Sequence, residues 1–401
     1  MNTPQFDAIV VGSGITGGLA AKELTERGLT VLMIERGPDI PHQSGYTTET
    51  IPPWELPFRG YGDPRVLRDQ YPVQSKGRYF DEWTQKHFVN DRDHPYETTT
   101  DAPFQWRRSY NVGGRSLVWG RQTYRWSPID FEANAKDGHG VDWPIRYDDL
   151  APWYDAVERF IGVQGASEGV ASLPDGKFQP AFPLMPVEQA LRERIKATYP
   201  GRTLTVARSA HLTQAKDGRS ACQNRGICAR GCSFGAYFST QSSSLPAAKA
   251  TGRLTVITDS VVDGLDFDPA TRKVTGVRVL DTRTKKRTLH SSRVVFLNAS
   301  TINTIGILLR SRTDAAPNGL ANSSGVLGQF IMDHVNGGGA GAIVMGFQDK
   351  TTFGNRPTGI IVPRFRNIGK DEADFVRGYV FFGLAFQTSW RSLESRPGFG
   401  A

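Results

Sequence analysis

Cysteine is scarce in this chain: three in 401 residues, far too few for a disulfide-stapled scaffold. Apolar runs are short as well, and none approaches the roughly 18 residues that would span a bilayer, so no transmembrane segment is expected. The N-terminus enters an apolar strand without the basic, apolar and small-residue zones of a secretory signal, so export would depend on something else carrying the chain. Histidine is sparse, with seven in all and none after His334. The formal charge of +8 is spread along the sequence and no nucleic-acid-binding motif accompanies it, so a nucleic-acid partner is not expected. Arg107, Arg108, Arg115, Arg121 and Arg125 alternate with aromatics and read as solvated surface, with an acidic partner or anionic lipid as the functional alternative. There are no internal repeats or low-complexity tracts. A chain of this length is expected to bury a large core in two lobes.

What is present is glycine, placed with purpose. Asp7-Ala-Ile-Val-Val runs into Gly12-Ser-Gly-Ile-Thr-Gly and an Ala-rich helix, then a second apolar strand that ends at Glu35. This strand–turn–helix order predicts a Rossmann-type dinucleotide fold. Gly12 permits the sharp turn, Gly14 lets the backbone approach a pyrophosphate, and Gly17 lets helix and sheet pack closely. The helix N-terminus then faces the phosphates. Glu35, about twenty residues past the second glycine, can accept hydrogen bonds from ribose hydroxyls and would repel a 2'-phosphate.

The three cysteines, Cys222, Cys228 and Cys232, follow a C-x5-C-x3-C spacing in a glycine-rich loop, 220–236. Four readings stand: a [3Fe-4S] cluster, for which three thiolates suffice; a zinc site with a remote fourth ligand; a disulfide with one thiol left over; and reduced structural cysteines. Arg225 and Arg230 could offset thiolate charge or be solvated.

Residues 40–105 are rich in Pro, Gly and aromatics without a sustained period, which predicts a long excursion serving as a lid or docking arm. Gly113-Gly114 with Ser116 suits a second close approach of backbone to a ligand. Residues 143–161 predict a capped helix with Val157, Phe160 and Ile161 on its core face. Strands follow at Leu254–Asp268, Lys273–Leu280 and Arg293–Leu297, then a turn at Asn298 and a helix, so this second loop is expected at the cofactor. From Gly337 onward, segments such as Gly359-Ile-Ile-Val-Pro-Arg-Phe-Arg predict entry to a second, sheet-based lobe. The fold class is α/β. A discontinuous nucleotide-binding domain is expected over 1–160 and 205–334, with a substrate domain over 161–204 and 335–401.

Taken together, these pieces resemble the glucose-methanol-choline (GMC) flavoprotein oxidoreductases, in the branch of sugar dehydrogenase catalytic subunits that carry a three-iron cluster. The residues carrying the resemblance are Gly12-Ser-Gly-Ile-Thr-Gly-Gly with Glu35-Arg-Gly, Val112-Gly-Gly-Arg-Ser-Leu-Val-Trp-Gly, Gly231-Cys-Ser-Phe-Gly-Ala, and Gly325-Val-Leu-Gly-Gln-Phe-Ile-Met-Asp-His. The resemblance implies FAD rather than NAD, with Gly12, Gly14 and Gly17 on the pyrophosphate and Glu35 on the adenosine ribose. It also implies that Gly114, Ser116, Trp119 and Gly120 lie beside the flavin and that Val262 meets the adenine through its backbone. A [3Fe-4S] cluster on Cys222, Cys228 and Cys232 would be the electron exit.

The implied chemistry is oxidation of a CH-OH group of a sugar or polyol by hydride transfer to flavin. Within the branch, the pattern is most similar to glucoside 3-dehydrogenase-like subunits. The implied partners are a cytochrome c subunit and a small companion with a twin-arginine signal, which would place the protein in the periplasm by co-export; the cytoplasm is the alternative. The family places its catalytic His near the C-terminus, and by that pattern the base is expected C-terminal to Ala401. His334 reads as structural, and His42, His87, His94, His139, His211 and His290 as surface residues. The alternatives are a truncated, catalytically inactive homologue acting as a cofactor-binding or assembly subunit, and an NAD-dependent dehydrogenase, since Glu35 alone does not separate NAD from FAD.

Overall fold

The protein is described by a computed structural model covering residues 5–335, 337–347, 349–350, 354–368 and 373–386. In chain order the elements are β1 (Phe6–Val11), α1 (Ile15–Glu26), β2 (Val31–Ile34), α2 (Pro64–Gln70), α3 (Pro128–Asp137), α4 (Tyr147–Ile161), α5 (Pro186–Thr198), β3 (Thr205–Val206), α6 (Ser244–Ala250), β4 (Leu254–Ile257), β5 (Ser260–Asp268), β6 (Lys273–Asp281), β7 (Arg287–Leu297), α7 (Thr301–Arg310), β8 (Ile360–Val362) and β9 (Phe381–Gly383). The chain divides into two compact units, Met1–Trp119 with Ile227–Gly338, and Gly120–Gly226 with Gly339–Ala401. In this division residues 120–160 and 205–226 group with 161–204.

In the first unit, β4, β2, β1 and β7 run parallel, which explains their unbroken apolar character: such strands are covered on both faces. One face, Ala8, Val10, Val31 and Met33, packs on Ala21 of α1 and on Leu245 and Ala248 of α6. The other, Ile9, Val11, Leu32 and Ile34, packs on Val262, Leu265, Val277 and Val279 of β5 and β6, and on Ile307 of α7. The strand β7 begins earlier than its apolar run suggests, because it serves two partners. Residues 287–291 pair antiparallel with β6, while 292–297 pair parallel with β1.

The excursion after β2 holds α2 and short 3-10 turns, yet it has its own core. Trp83 is fully buried, and Tyr46 and Phe88 pack with Leu117 and Val118. Arg108 corrects the expectation of a solvated arginine: it is buried against Asp91, 3.3 Å away, and beside the rings of Trp106 and Tyr96. His87 is likewise buried rather than superficial, and burial next to the Lys86 charge pushes its pKa down to about 4, which keeps it neutral.

In the second unit, Ser127 and Asp130 form a reciprocal capping box that starts α3, and Gly138 at φ 72° ends it. A three-stranded antiparallel sheet has the order β3-β8-β9. On α4 the expected inward face is displaced: Ile161 is buried, Val157 is exposed, and Glu158 turns inward. The cause is Arg125, another buried arginine, whose Nε donates to Glu158 Oε1 at 2.8 Å and whose Nη1 donates to the Tyr147 hydroxyl at 3.1 Å. The second carboxylate on this guanidinium is Asp155. Arg121 and His211 are buried too, so they depart from the expected surface positions in the same way. Arg125→Ala would leave the Glu158 carboxylate buried without its counter-charge, and we expect a loss of about 3–5 kcal/mol in urea unfolding.

Candidate functional site

The first unit contains a cleft of about 290 Å³ at the C-terminal ends of β1, β2 and β7, where open α/β sheets bind their ligands. Its wall includes Gly12, Gly14, Glu35, Gly114, Ser116, Trp119 and Val262, so seven of the nine residues expected at a dinucleotide meet there. Gly17 stands behind the turn: a Cβ on it would lie 1.9 Å from the Gly12 carbonyl oxygen. Gly120 opens the second unit.

The two leading glycines have different jobs. Gly12 sits at φ +93°, and a Cβ there would come within 2.5 Å of the Asn298 carbonyl oxygen. It is required by the fold itself. Gly14, at φ −61°, is in ordinary backbone territory, and among the described residues a Cβ would meet no atom within 4 Å beyond its own chain neighbours. The space beside it is open, at a helix start that no side chain caps. A Cβ on Gly114 would stand 3.8 Å from the Gly14 Cα, so the second glycine turn closes against the first.

Glu35 is buried at the end of β2, and burial raises its pKa against the pull of its hydrogen bonds. Ser13 donates to Oε2 from its backbone N–H at 3.1 Å and from its hydroxyl at 2.5 Å, and the Gly37 N–H donates to Oε1 at 3.0 Å. Next to it, Arg36 lies 3.6 Å over the Tyr110 ring. Val262 packs its side chain into the core, which leaves its backbone for the cleft.

The turn at 113–117 is held by the segment that follows the third cysteine. Ser116 Oγ accepts from the Thr240 N–H at 3.1 Å, the Tyr237 hydroxyl donates to the Leu117 carbonyl at 3.0 Å, and the Trp119 indole donates to the Phe238 carbonyl at 3.0 Å. Gln241 also donates to the Val112 carbonyl. No histidine lines the cleft, and His334 is exposed beside Asp333.

The cleft fits a dinucleotide. Besides the empty space at Gly14, the Asn298 Oδ1 in its wall is shielded from solvent and has no hydrogen-bond partner among the described residues, and neither has Ser109 Oγ or Arg107 Nε. Such atoms call for a polar ligand. Ser13, Arg36, Tyr110 and Ser109 carry no sequence signature of their own, although Ser13 lies inside the glycine motif.

The three cysteines are not in the lining of this cleft. All three are half-buried. Cys222 is in the second unit, its N–H donating to the Leu212 carbonyl at 2.8 Å, while Cys228 and Cys232 are in the first. There the loop is anchored on the excursion: Arg230 stacks 3.9 Å over Trp83, and the Ser233 N–H donates to Glu49 at 3.1 Å. Among the described residues no group of three His, Cys, Asp or Glu side chains converges to hold a metal. Nor, among them, is any helix long and apolar enough to cross a membrane.

Comparison with known proteins agrees with the cleft. The family model for GMC oxidoreductase matches residues 6–336. The chain is 29% identical over 340 residues to 2-methyl-1,2-propanediol dehydrogenase of Mycolicibacterium austroafricanum, covering 82% of this chain and 55% of that protein. It is 31% identical to paromamine 6'-oxidase of Streptomyces fradiae, covering 81% and 53%. With the fructose dehydrogenase large subunit of Gluconobacter japonicus it shares 26%, covering 83% and 59%. The chain spans about half the length of the curated relatives it matches. A match over more than half the chain, on a fold whose cleft fits a dinucleotide, means that this chain belongs to the FAD-dependent GMC oxidoreductase family.

Proposed function

We propose that this chain provides the FAD-binding portion of a dehydrogenase that oxidises a CH-OH group of a sugar or related alcohol. The observation that carries the reading is the meeting of Gly12, Gly14, Glu35, Gly114, Ser116, Trp119 and Val262 around one cleft in a chain matching this family. When bound, FAD supplies an acceptor for the hydride leaving the substrate carbon as its C–H bond breaks and the carbonyl forms. The chain's own residues hold that acceptor. The first turn of α1 would hold the pyrophosphate, Glu35 would accept from the ribose, the Val262 backbone would meet the adenine, and the turn at 114–119 would border the flavin. No catalytic base is assigned to the described residues.

The substrate class is supported by the relatives, which include a diol dehydrogenase and a fructose dehydrogenase large subunit. For electron exit we propose a [3Fe-4S] cluster on Cys222, Cys228 and Cys232, on the strength of donor chemistry alone: three thiolates within eleven residues and no other cysteine in the chain. Among the described residues no group of three His, Cys, Asp or Glu side chains forms a metal-ligand set. A cytochrome-type acceptor, a small companion subunit and periplasmic work by co-export complete the reading. The "large subunit" in a relative's name supports a multi-subunit assembly.

The test is anaerobic addition of sugars and polyols to the FAD-loaded protein with an artificial acceptor, alongside iron analysis. Bleaching of the flavin band with acceptor reduction supports the dehydrogenase. Bound FAD that no alcohol reduces supports the cofactor-binding or assembly role instead. Iron near three per chain, lost in Cys228→Ser, supports the cluster, and iron-free yellow protein opposes it.

A further inference from the structure

One small side chain joins the glycine turns to the acidic strand end. Ser13 is fully buried. Its hydroxyl donates to Glu35 Oε2 at 2.5 Å and accepts from the Gly113 N–H at 2.9 Å. One hydroxyl therefore uses its only proton on the carboxylate and a lone pair on the second turn. The three segments meet tightly elsewhere too. A Cβ on Gly37 would fall 1.9 Å from the Tyr110 carbonyl oxygen, and the Val112 N–H donates to the Pro38 carbonyl at 2.9 Å.

We propose that Ser13 is a positioning residue for FAD, which acts through Glu35 by aiming its carboxylate, and through Gly113 by locking the second glycine turn to the first. This rests on the reading that the cleft binds FAD. The acceptor count supports it. A carboxylate offers about four lone-pair sites; Ser13 takes two on Oε2 and Gly37 takes one on Oε1, so a site remains on Oε1 for a ribose hydroxyl. Protonation would turn one oxygen into a donor and break this arrangement. The groups facing Glu35 are few: Ser13 from the first turn, the Gly37 N–H, the Arg36 charge beside it, and the Ser260 N–H of β5 on its backbone carbonyl. Burial works against the ionised state, and the Ser13 hydroxyl is the largest influence opposing burial.

The experiment is titration of FAD into the full chain between pH 5 and 9, followed by quenching of flavin fluorescence, for the wild type, Ser13→Ala, Glu35→Gln and the double variant. The wild-type affinity should fall on acidification as Glu35 takes up a proton. Without the hydroxyl Glu35 protonates more readily, so in Ser13→Ala that fall should begin at higher pH, its midpoint up by about one unit. Between the two midpoints this reads as about a two- to fivefold loss, approaching about tenfold below both. Glu35→Gln should abolish the acid-side fall, and adding Ser13→Ala to it should introduce no new pH dependence. An equal loss at every pH in Ser13→Ala would mean packing alone, and an unchanged profile would mean no role; either result overturns the proposal. A Glu35→Gln variant that keeps the full acid-side fall overturns it as well, without relying on the Ser13 variant. Failure of the wild type to bind FAD at any pH would instead refute the FAD reading on which it rests.

Discussion

Alanine in place of Gly14 is expected to lower FAD affinity ten- to hundredfold and to leave the unliganded fold unchanged. Among the described residues the added methyl meets no atom within 4 Å beyond Gly14's own chain neighbours, and the backbone at φ −61° tolerates any residue. Whatever the methyl obstructs must be the ligand. Overpacking costs about 1–3 kcal/mol, which converts to that range of affinity. Equilibrium titration with FAD, paired with the urea midpoint of the FAD-free protein, checks both halves. Equal FAD affinity in wild type and variant would show that the cofactor does not approach this glycine.

Gly12→Ala should behave in the opposite way and lose stability before any cofactor is added. Its positive φ is costly for a residue with a Cβ, and the methyl would fall 2.5 Å from the Asn298 carbonyl oxygen, a backbone atom that cannot swing aside. Strain and clash together are expected to cost about 3 kcal/mol or more, read as a lower urea midpoint of the FAD-free protein. A Gly12→Ala protein as stable as wild type would mean that the turn relaxes freely. The contrast between two glycines one residue apart separates a fold requirement from a ligand requirement.

The parts of the site legible from sequence were those whose signal is local. Gly12, Gly14 and Glu35 belong to one strand-turn-helix-strand unit, so spacing alone placed them on one edge. Asn298 followed from the same logic, at the end of another parallel strand. The role of Ser13 was hidden because half of it depends on Gly113, a hundred residues away. The arginines misled for a related reason. Composition treats a guanidinium as solvent-loving, but Arg108 and Arg125 are buried because Asp91, Glu158 and aromatic faces are brought to them by tertiary contacts. On α4 the same contact turned Glu158 inward and left Val157 outside, against the apolar period. His87 and His211 show that a histidine in a polar-looking loop can still be enclosed by the fold. The double role of β7 had no local signature either, since pairing antiparallel with β6 and then parallel with β1 leaves no mark on the strand's own sequence.

Equilibrium titration of the full chain with FAD, with NAD as competitor, tests whether the cleft of the first unit takes FAD. Saturation at one FAD per chain, unaffected by excess NAD, is expected. Displacement of FAD by NAD, or no FAD binding under conditions where the chain is folded, would contradict it.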